Sequence, residues 1–181
     1  MNEQEKFWSK SFGDKYTKRQ PVKTLLKSNI VFFSKVLKKY YIKSLIELGA
    51  NNGSNIIAIK KIKKKLKNLV AVEINKNACK NLEKISNLEV INKSIVNLKI
   101  NKKFDLVLLK GVLIHINPKQ LKSVYEKISN LSSKYILFAE YYNPYPVKIT
   151  YRGKKNKLFK RDFAGEFIEK YKKFKIIDYG F

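Results

Sequence analysis

Residues 46–55 read IELGANNGSN: an apolar run ends in an acid and then places two of the chain's seven glycines, Gly49 and Gly53, four residues apart. A strand that leaves into a glycine loop and re-enters as a helix is the turn at which parallel α/β sheets bind nucleotides. The flanks agree with that reading. SLIEL (44–48) is short and apolar like a buried strand, and SNIIAIKKIKKKL after the loop has helical spacing.

Further along, NLVAVEIN (68–75), LEVIN (88–92), FDLVLL (104–109) and YILFAE (135–140) are apolar runs of strand length bounded by polar residues. Helical segments separate them. Asn75 is placed to cap NKNACKNLEKI, and NPKQLKSVYEKISNL offers Asn117 as a cap, Pro118 at the first helical position and Gln120 at the capping-box position. Ahead of the first strand, PVKTLLKSNIVFFSKVLKKYY repeats Leu26, Ile30, Phe33, Leu37 and Tyr40 on one helical face. Strands therefore alternate with helices five times, and the predicted fold is α/β, a doubly wound and mostly parallel sheet covered on both faces. The expected layout is one unit over 1–181: a helical cap over 1–43, a cofactor-binding core over 44–140, and an acceptor-side insert, helix and last strand over 141–181.

Composition bounds the partners. With 181 residues and 44% apolar content, the chain suits one domain with one core. Its single cysteine, Cys79, lies at helical spacing with Ala78, Leu82 and Ile85 and reads as a buried thiol. No apolar run approaches the roughly 18–20 residues of a membrane span, and MNEQEKFWSK lacks the apolar middle of a signal peptide, so a cytoplasmic protein is expected. The net charge of +26 invites a nucleic-acid reading. However, lysines spread through every segment alongside abundant Asn and Ile, all A/T-rich codons, and no run interleaves basic with aromatic residues, so a nucleic-acid partner is not the reading adopted. Only three of the 40 basic residues are arginine: Arg19, Arg152 and Arg161. A chain that uses lysine almost everywhere keeps arginine where a planar fork matters.

The loop chemistry separates two cofactors. Glu73 ends the second strand 20 residues after Gly53, where an acid can bridge ribose hydroxyls. A nicotinamide dinucleotide and S-adenosylmethionine both need that acid. A pyrophosphate needs a cradle of backbone N–H groups, whereas Glu47 beside the loop repels it. The cationic sulfonium and ammonium of S-adenosylmethionine would be attracted instead. Methyl transfer is the expected chemistry, and no metal is called for.

These residues carry a resemblance. ELGANNGSN resembles the first motif of class I S-adenosylmethionine-dependent methyltransferases, in the variant of the methylases associated with pseudaminic acid biosynthesis. EKFWSKSFGDKYTKRQ, VEIN, LLKGVLIHINPKQL and EYYNPYPVKITYRGKKNKLFKRDFAGEF are similar to that family as well, so the likeness spans most of the chain. It implies a Rossmann-like methyltransferase fold, with Glu47, Gly49, Asn51 and Gly53 at the methionine end of the cofactor, Glu73 at its ribose, Ser94 at adenine, and Lys110 and Gly111 beneath it. One departure stands out: the superfamily sheet ends with an antiparallel strand after the sixth, whereas this chain stops at KIIDYGF, which reads as the sixth alone. Either the last strand is missing or the sheet closes differently.

For the acceptor, His115 follows the fourth strand and has a side chain suited to proton removal; packing at the turn before Asn117 is the alternative role. The insert NPYPVKITYRGKKNKLFKRDF places Tyr142, Tyr145 and Tyr151 for stacking and Arg152 and Arg161 for a carboxylate or phosphate, unless Arg161 only pairs with Asp162 or Glu166. Tyr16 and Arg19 of the N-terminal stretch complete the expected acceptor-binding set. The family resemblance implies a small anionic acceptor, a nonulosonic sugar acid or nucleotide sugar.

Overall fold

The computed structural model describes Met1–Phe181 throughout. Two short helices, α1 (Glu3–Ser9) and α2 (Ser11–Arg19), precede α3 (Val22–Leu37). There follow β1 (Ser44–Leu48), α4 (Ser54–Ile62), β2 (Asn68–Glu73), α5 (Lys76–Leu82), β3 (Glu89–Asn92), β4 (Phe104–Lys110), α6 (Leu121–Leu131) and β5 (Ser132–Ala139). A hairpin of β6 (Val147–Tyr151) and β7 (Lys154–Lys160) leads into α7 (Phe163–Lys170). The five strands β1–β5 form one parallel sheet in the order β3-β2-β1-β4-β5.

Strand alternation decides how the sheet is covered. Leu45 of β1, Leu69 and Ala71 of β2 and Leu106 and Leu108 of β4 join Phe33 and Leu37 of α3 and Ile56 and Ile59 of α4 on one face. Their neighbours Ile46, Val70, Val72, Val107 and Leu109 face the other way, onto Val124 and Ile128 of α6 and Phe167 of α7. Both faces are therefore buried, which is why these strands read as continuous apolar runs. Each such side chain contributes about 1.5–3 kcal/mol on burial, so the sheet is the stable frame on which the loops hang. The expected α/β doubly wound fold is the one found.

Four details differ from the sequence reading. Between β3 and β4 there is only a single 3-10 turn, Ile95–Asn97, started by Ser94, so the fifth alternation of strand and helix is absent. Asn117 caps as expected, accepting from Lys119 N at 3.0 Å, but Pro118–Gln120 is a 3-10 turn and α6 starts at Leu121. Gln120 makes no capping box, because its side chain is taken by Asn2 of the N-terminal segment. KIIDYGF is not a strand: Ile176 and Ile177 are exposed, and the segment is tied down only by the Lys39–Asp178 ion pair and by Phe181 against Tyr142. Instead, the insert supplies the β6–β7 hairpin as a separate two-stranded sheet, and β5 stays an edge.

The N-terminal helices lie across the carboxyl ends of the strands, held by side chains from each loop in turn. Thr17 donates to Asn51 Oδ1 (2.6 Å) and Asn75 donates to Asp14 (2.8 Å). Asn97 donates to Glu5 (3.4 Å), Asn117 donates to Gln4 (3.3 Å), and Lys157 of β7 pairs with Glu3. These are polar links, each worth about 1 kcal/mol, rather than an extension of the core.

Candidate functional site

Under this cap lies a cavity of ≈180 Å³ that runs along the carboxyl ends of the strands, from Lys93–Val96 after β3, past Glu73 and Gly49, to Lys110–Gln120 after β4. The strand order reverses direction between β1 and β4, so the cavity sits at the topological switch point of the sheet.

The glycine loop forms its floor. Gly49 takes a positive φ of 79°, and a Cβ there would meet Val112 at 2.6 Å, so only glycine fits between the loop and the β4 turn. Gly53 also has a φ of 79°, but its missing Cβ makes room for Leu82 and Ile85, so it serves helix packing rather than the cavity wall. Almost all loop amides are engaged inside the protein. Gly49 N and Ala50 N donate to Val72 O, Gly53 N donates to Ala50 O, and Ser54 N donates to Asn52 Oδ1. Asn51, at φ 47°, donates its N–H to Glu73 Oε2 at 2.7 Å.

The acceptors of the floor are in the opposite state. Glu47 is 1% exposed beneath the loop; Asn55 Nδ2 donates to its Oε1 at 2.6 Å, while Glu47 Oε2 and Asn55 Oδ1 are buried with no donor. The Asn55 amide is oriented with Nδ2 toward Glu47 Oε1, an oxygen that accepts whether or not Oε2 carries a proton. Burial pushes the Glu47 carboxyl up to about 8, with the Asn55 hydrogen bond and Lys110 opposing it. Asn55 is on the cavity wall and Glu47 is behind it. Glu73, also buried, accepts from Asn51 N and from Asn75 N (2.8 Å), and burial raises its carboxyl as well. Ser94 reaches the wall at the β3 end, where its hydroxyl accepts from Val96 N at 3.2 Å.

At the β4 end, Lys110 and Gly111 line the cavity, Gly111 with φ 66°. The turn that follows is held by a residue the sequence reading passed over. Glu140, at the end of β5, accepts from Val112 N (2.9 Å), Leu113 N (3.0 Å) and Ile114 N (3.5 Å), and burial raises its carboxyl to about 7. This clamp fixes the 3-10 turn Leu113–His115. His115 Nδ1 lies 2.7 Å from Lys157 O; a carbonyl only accepts, so the proton is on Nδ1 and Nε2 carries the lone pair. Burial depresses the imidazole to about 4, so the ring is neutral at pH 7. Trp8 lies against it at 4.4 Å between ring centroids, with Tyr151 at 5.1 Å from His115 and Tyr16 at 5.3 Å from Trp8.

Of the residues expected at the acceptor, Tyr16 is on the wall and Tyr151 is immediately behind it. The others are elsewhere. Arg19 lies over the Phe12 ring (5.5 Å) and Arg152 over Tyr151 (5.9 Å), Arg152 in the exposed hairpin turn at φ 49°. Arg161 pairs with Glu166 at 3.1 Å, and Glu166 also accepts from Tyr125 OH at 3.0 Å. Tyr142 is exposed against Phe181. No arginine lines the cavity. Cys79 is buried with its thiol raised to about 11 by burial, an inert packing residue.

No protein-family model matches the sequence and no curated protein aligns with it. Among solved structures, the fold is similar to an O-methyltransferase from a trans-AT polyketide synthase multienzyme of Brevibacillus brevis in complex with S-adenosyl-L-homocysteine (TM-score 0.58, 14% identity, 75% of this chain and 46% of that one). It is also similar to the plantazolicin methyltransferase BpumL, solved with a monoazolic desmethylPZN analog and S-adenosylhomocysteine (0.54, 18%, 73% and 55%). A third likeness is to coclaurine N-methyltransferase bound to N-methylheliamine and S-adenosylhomocysteine (0.52, 18%, 60% and 33%). The chain thus spans between a third and just over half the length of these proteins. At such identities the likeness establishes the fold, the Rossmann-like fold of class I methyltransferases.

Proposed function

We propose that the cavity binds S-adenosylmethionine and that the protein transfers its methyl group to a small acceptor entering at the β4 end. One observation carries the reading: the loop amides of Gly49, Ala50, Asn51 and Gly53 donate inside the protein, while two acids, Glu47 and Glu73, are buried at the floor of the loop. A pyrophosphate needs the reverse, free N–H groups and no acid. An α-ammonium brings positive charge, so it draws Glu47 back to its ionised form. Glu73, with lone pairs remaining after two backbone hydrogen bonds, suits ribose hydroxyls, and Ser94 with Ile95 and Val96 suits the adenine edge. When bound, S-adenosylmethionine supplies an electrophilic methyl on a sulfonium. The protein aligns the acceptor, excludes water beneath the N-terminal cap, and offers His115 Nε2 as the proton acceptor.

The narrower family reading, a pseudaminic-type methylase acting on an anionic sugar, rests on the KGVLIHINP and YRG…LFKRDFAGE stretches and on the scarce arginines. With Arg161 paired to Glu166 and Arg152 in an exposed turn, the anionic acceptor has lost its proposed fork, and we retain only a small-molecule acceptor from it. Thermal melting tests the function. S-adenosylmethionine and S-adenosylhomocysteine at saturating concentration raise the melting temperature, whereas a nicotinamide dinucleotide does not; stabilisation by the dinucleotide alone overturns the reading.

A further inference from the structure

The acceptor end of the cavity is aromatic and free of arginine. Trp8 and Tyr16, from the two cap helices, form its wall together with His115. Tyr151 backs the imidazole from the hairpin, tilted at 56°, so His115 is held between the Tyr151 and Trp8 rings at the edge of an aromatic slot lined by Trp8 and Tyr16. Trp8 Nε1–H is buried with no acceptor in the protein. His115 presents Nε2 as a bare lone pair, because Lys157 O holds the proton on Nδ1. An aromatic wall favours a ring-bearing molecule, and the bare imidazole nitrogen asks for a proton to receive.

We propose that this subsite takes an aromatic ring carrying a hydroxyl, and that the protein is a phenol O-methyltransferase. The inference rests on the methyl-transfer reading above. His115 takes the hydroxyl proton on Nε2 as that oxygen gains the methyl carbon; the carbon–sulfur electron pair stays on sulfur, and the proton passes on to water. A phenol also suits the base better than a sugar hydroxyl does. Burial makes the imidazole a weak base, with its value depressed to about 4, and a phenol is far more acidic than an aliphatic alcohol. Negatively charged acceptors find no arginine at this end.

Trp8 is the only tryptophan, so its fluorescence reports directly on the slot. With the protein saturated in S-adenosylhomocysteine, catechol and phenol are expected to change Trp8 emission and to bind at least tenfold more tightly than cyclohexanol or glucuronic acid. Tyr16→Leu weakens catechol at least fivefold in the same assay, and Trp8→Leu does so by calorimetry, both leaving S-adenosylhomocysteine affinity within twofold. If S-adenosylhomocysteine binds but cyclohexanol or glucuronic acid binds as tightly as catechol, the phenol inference is overturned and methyl transfer stands. If S-adenosylhomocysteine does not bind, both fall together. Catechol binding that neither substitution changes also overturns the inference, since the phenol would then sit elsewhere.

Discussion

Asn55 donates its side-chain amide to Glu47 Oε1 at 2.6 Å, and between them the two residues keep two further oxygens buried without a partner. The arrangement is costly without a ligand, because a buried unsatisfied acceptor costs about 1–3 kcal/mol. On the proposed reading the buried acid selects by charge: a cationic ligand favours its ionised form, and an anionic one disfavours it.

That cost has a pH signature. The Glu47 carboxyl rises from 4.5 to about 8 in the folded protein, so between those values the folded state holds a proton that the unfolded state has lost. The contribution to stability is complete below the unfolded value and disappears as pH rises through about 8. Glu140 acts in the same direction up to about 7, and His115, depressed to about 4, acts in the opposite direction at lower pH, so the test is a difference between variants. Glu47→Gln, neutral at every pH, is expected to melt progressively higher than the wild type as pH rises from 5 to 8 in the absence of ligand. A gap that stays constant across that range contradicts a proton held at Glu47.

Arg161 is expected to act on stability and not on ligands. Its Nη1 meets both carboxylate oxygens of Glu166 (3.1 and 3.2 Å), and Glu166 in turn accepts from Tyr125 of α6, tying α7 to α6. Arg161→Ala should lower the free energy of unfolding by about 1–2 kcal/mol in denaturant titrations, the scale of a charge-assisted hydrogen bond. S-adenosylhomocysteine affinity should not change. An intact stability with lost acceptor binding would return Arg161 to the site.

Residues of the cap line the cavity, and Thr17 to Asn51 is the link nearest the glycine loop. Thr17→Val keeps the shape and removes the donor. Stopped-flow Trp8 fluorescence should then show S-adenosylhomocysteine leaving several-fold faster, in line with loss of about 1 kcal/mol of closure. Unchanged dissociation would mean that the cap does not gate the cavity.

The charge of +26 is expected to give weak binding to random RNA, without sequence preference and largely abolished by about 0.2 M salt. Retention of a tight complex at that salt concentration would point to a nucleic-acid acceptor.

The sequence carried the sheet because β1, β2 and β4 are buried on both faces, which writes itself as uninterrupted apolar runs. It concealed the hairpin. VKITY is largely exposed, and lysines surround the buried Leu158 and Phe159 in KKNKLFK, with Lys157 itself buried, so the runs resemble charged loop. KIIDYGF misled for the complementary reason: its apolar pair suggests a strand, but no ladder partner reaches it. Within the site, Glu73, Gly49 and His115 were legible from their position at strand ends. Glu140 and Asn55 were not, since one works through backbone amides and the other through an acid eight residues away, and neither leaves a pattern. Glu140 ending an apolar strand was the available signal, the same one that singled out Glu47 and Glu73.

The most direct test of the account is a calorimetric titration of S-adenosylhomocysteine into the wild type and into Glu73→Ala. Glu73 faces the cavity and accepts from Asn51 N and Asn75 N, so it joins the ribose position to the glycine loop. The account predicts one site of micromolar affinity, weakened at least tenfold by Glu73→Ala, a loss of roughly 1.4 kcal/mol or more, with S-adenosylmethionine affected by the same factor. No measurable heat at millimolar S-adenosylhomocysteine, or equal affinity in the two proteins, would contradict it.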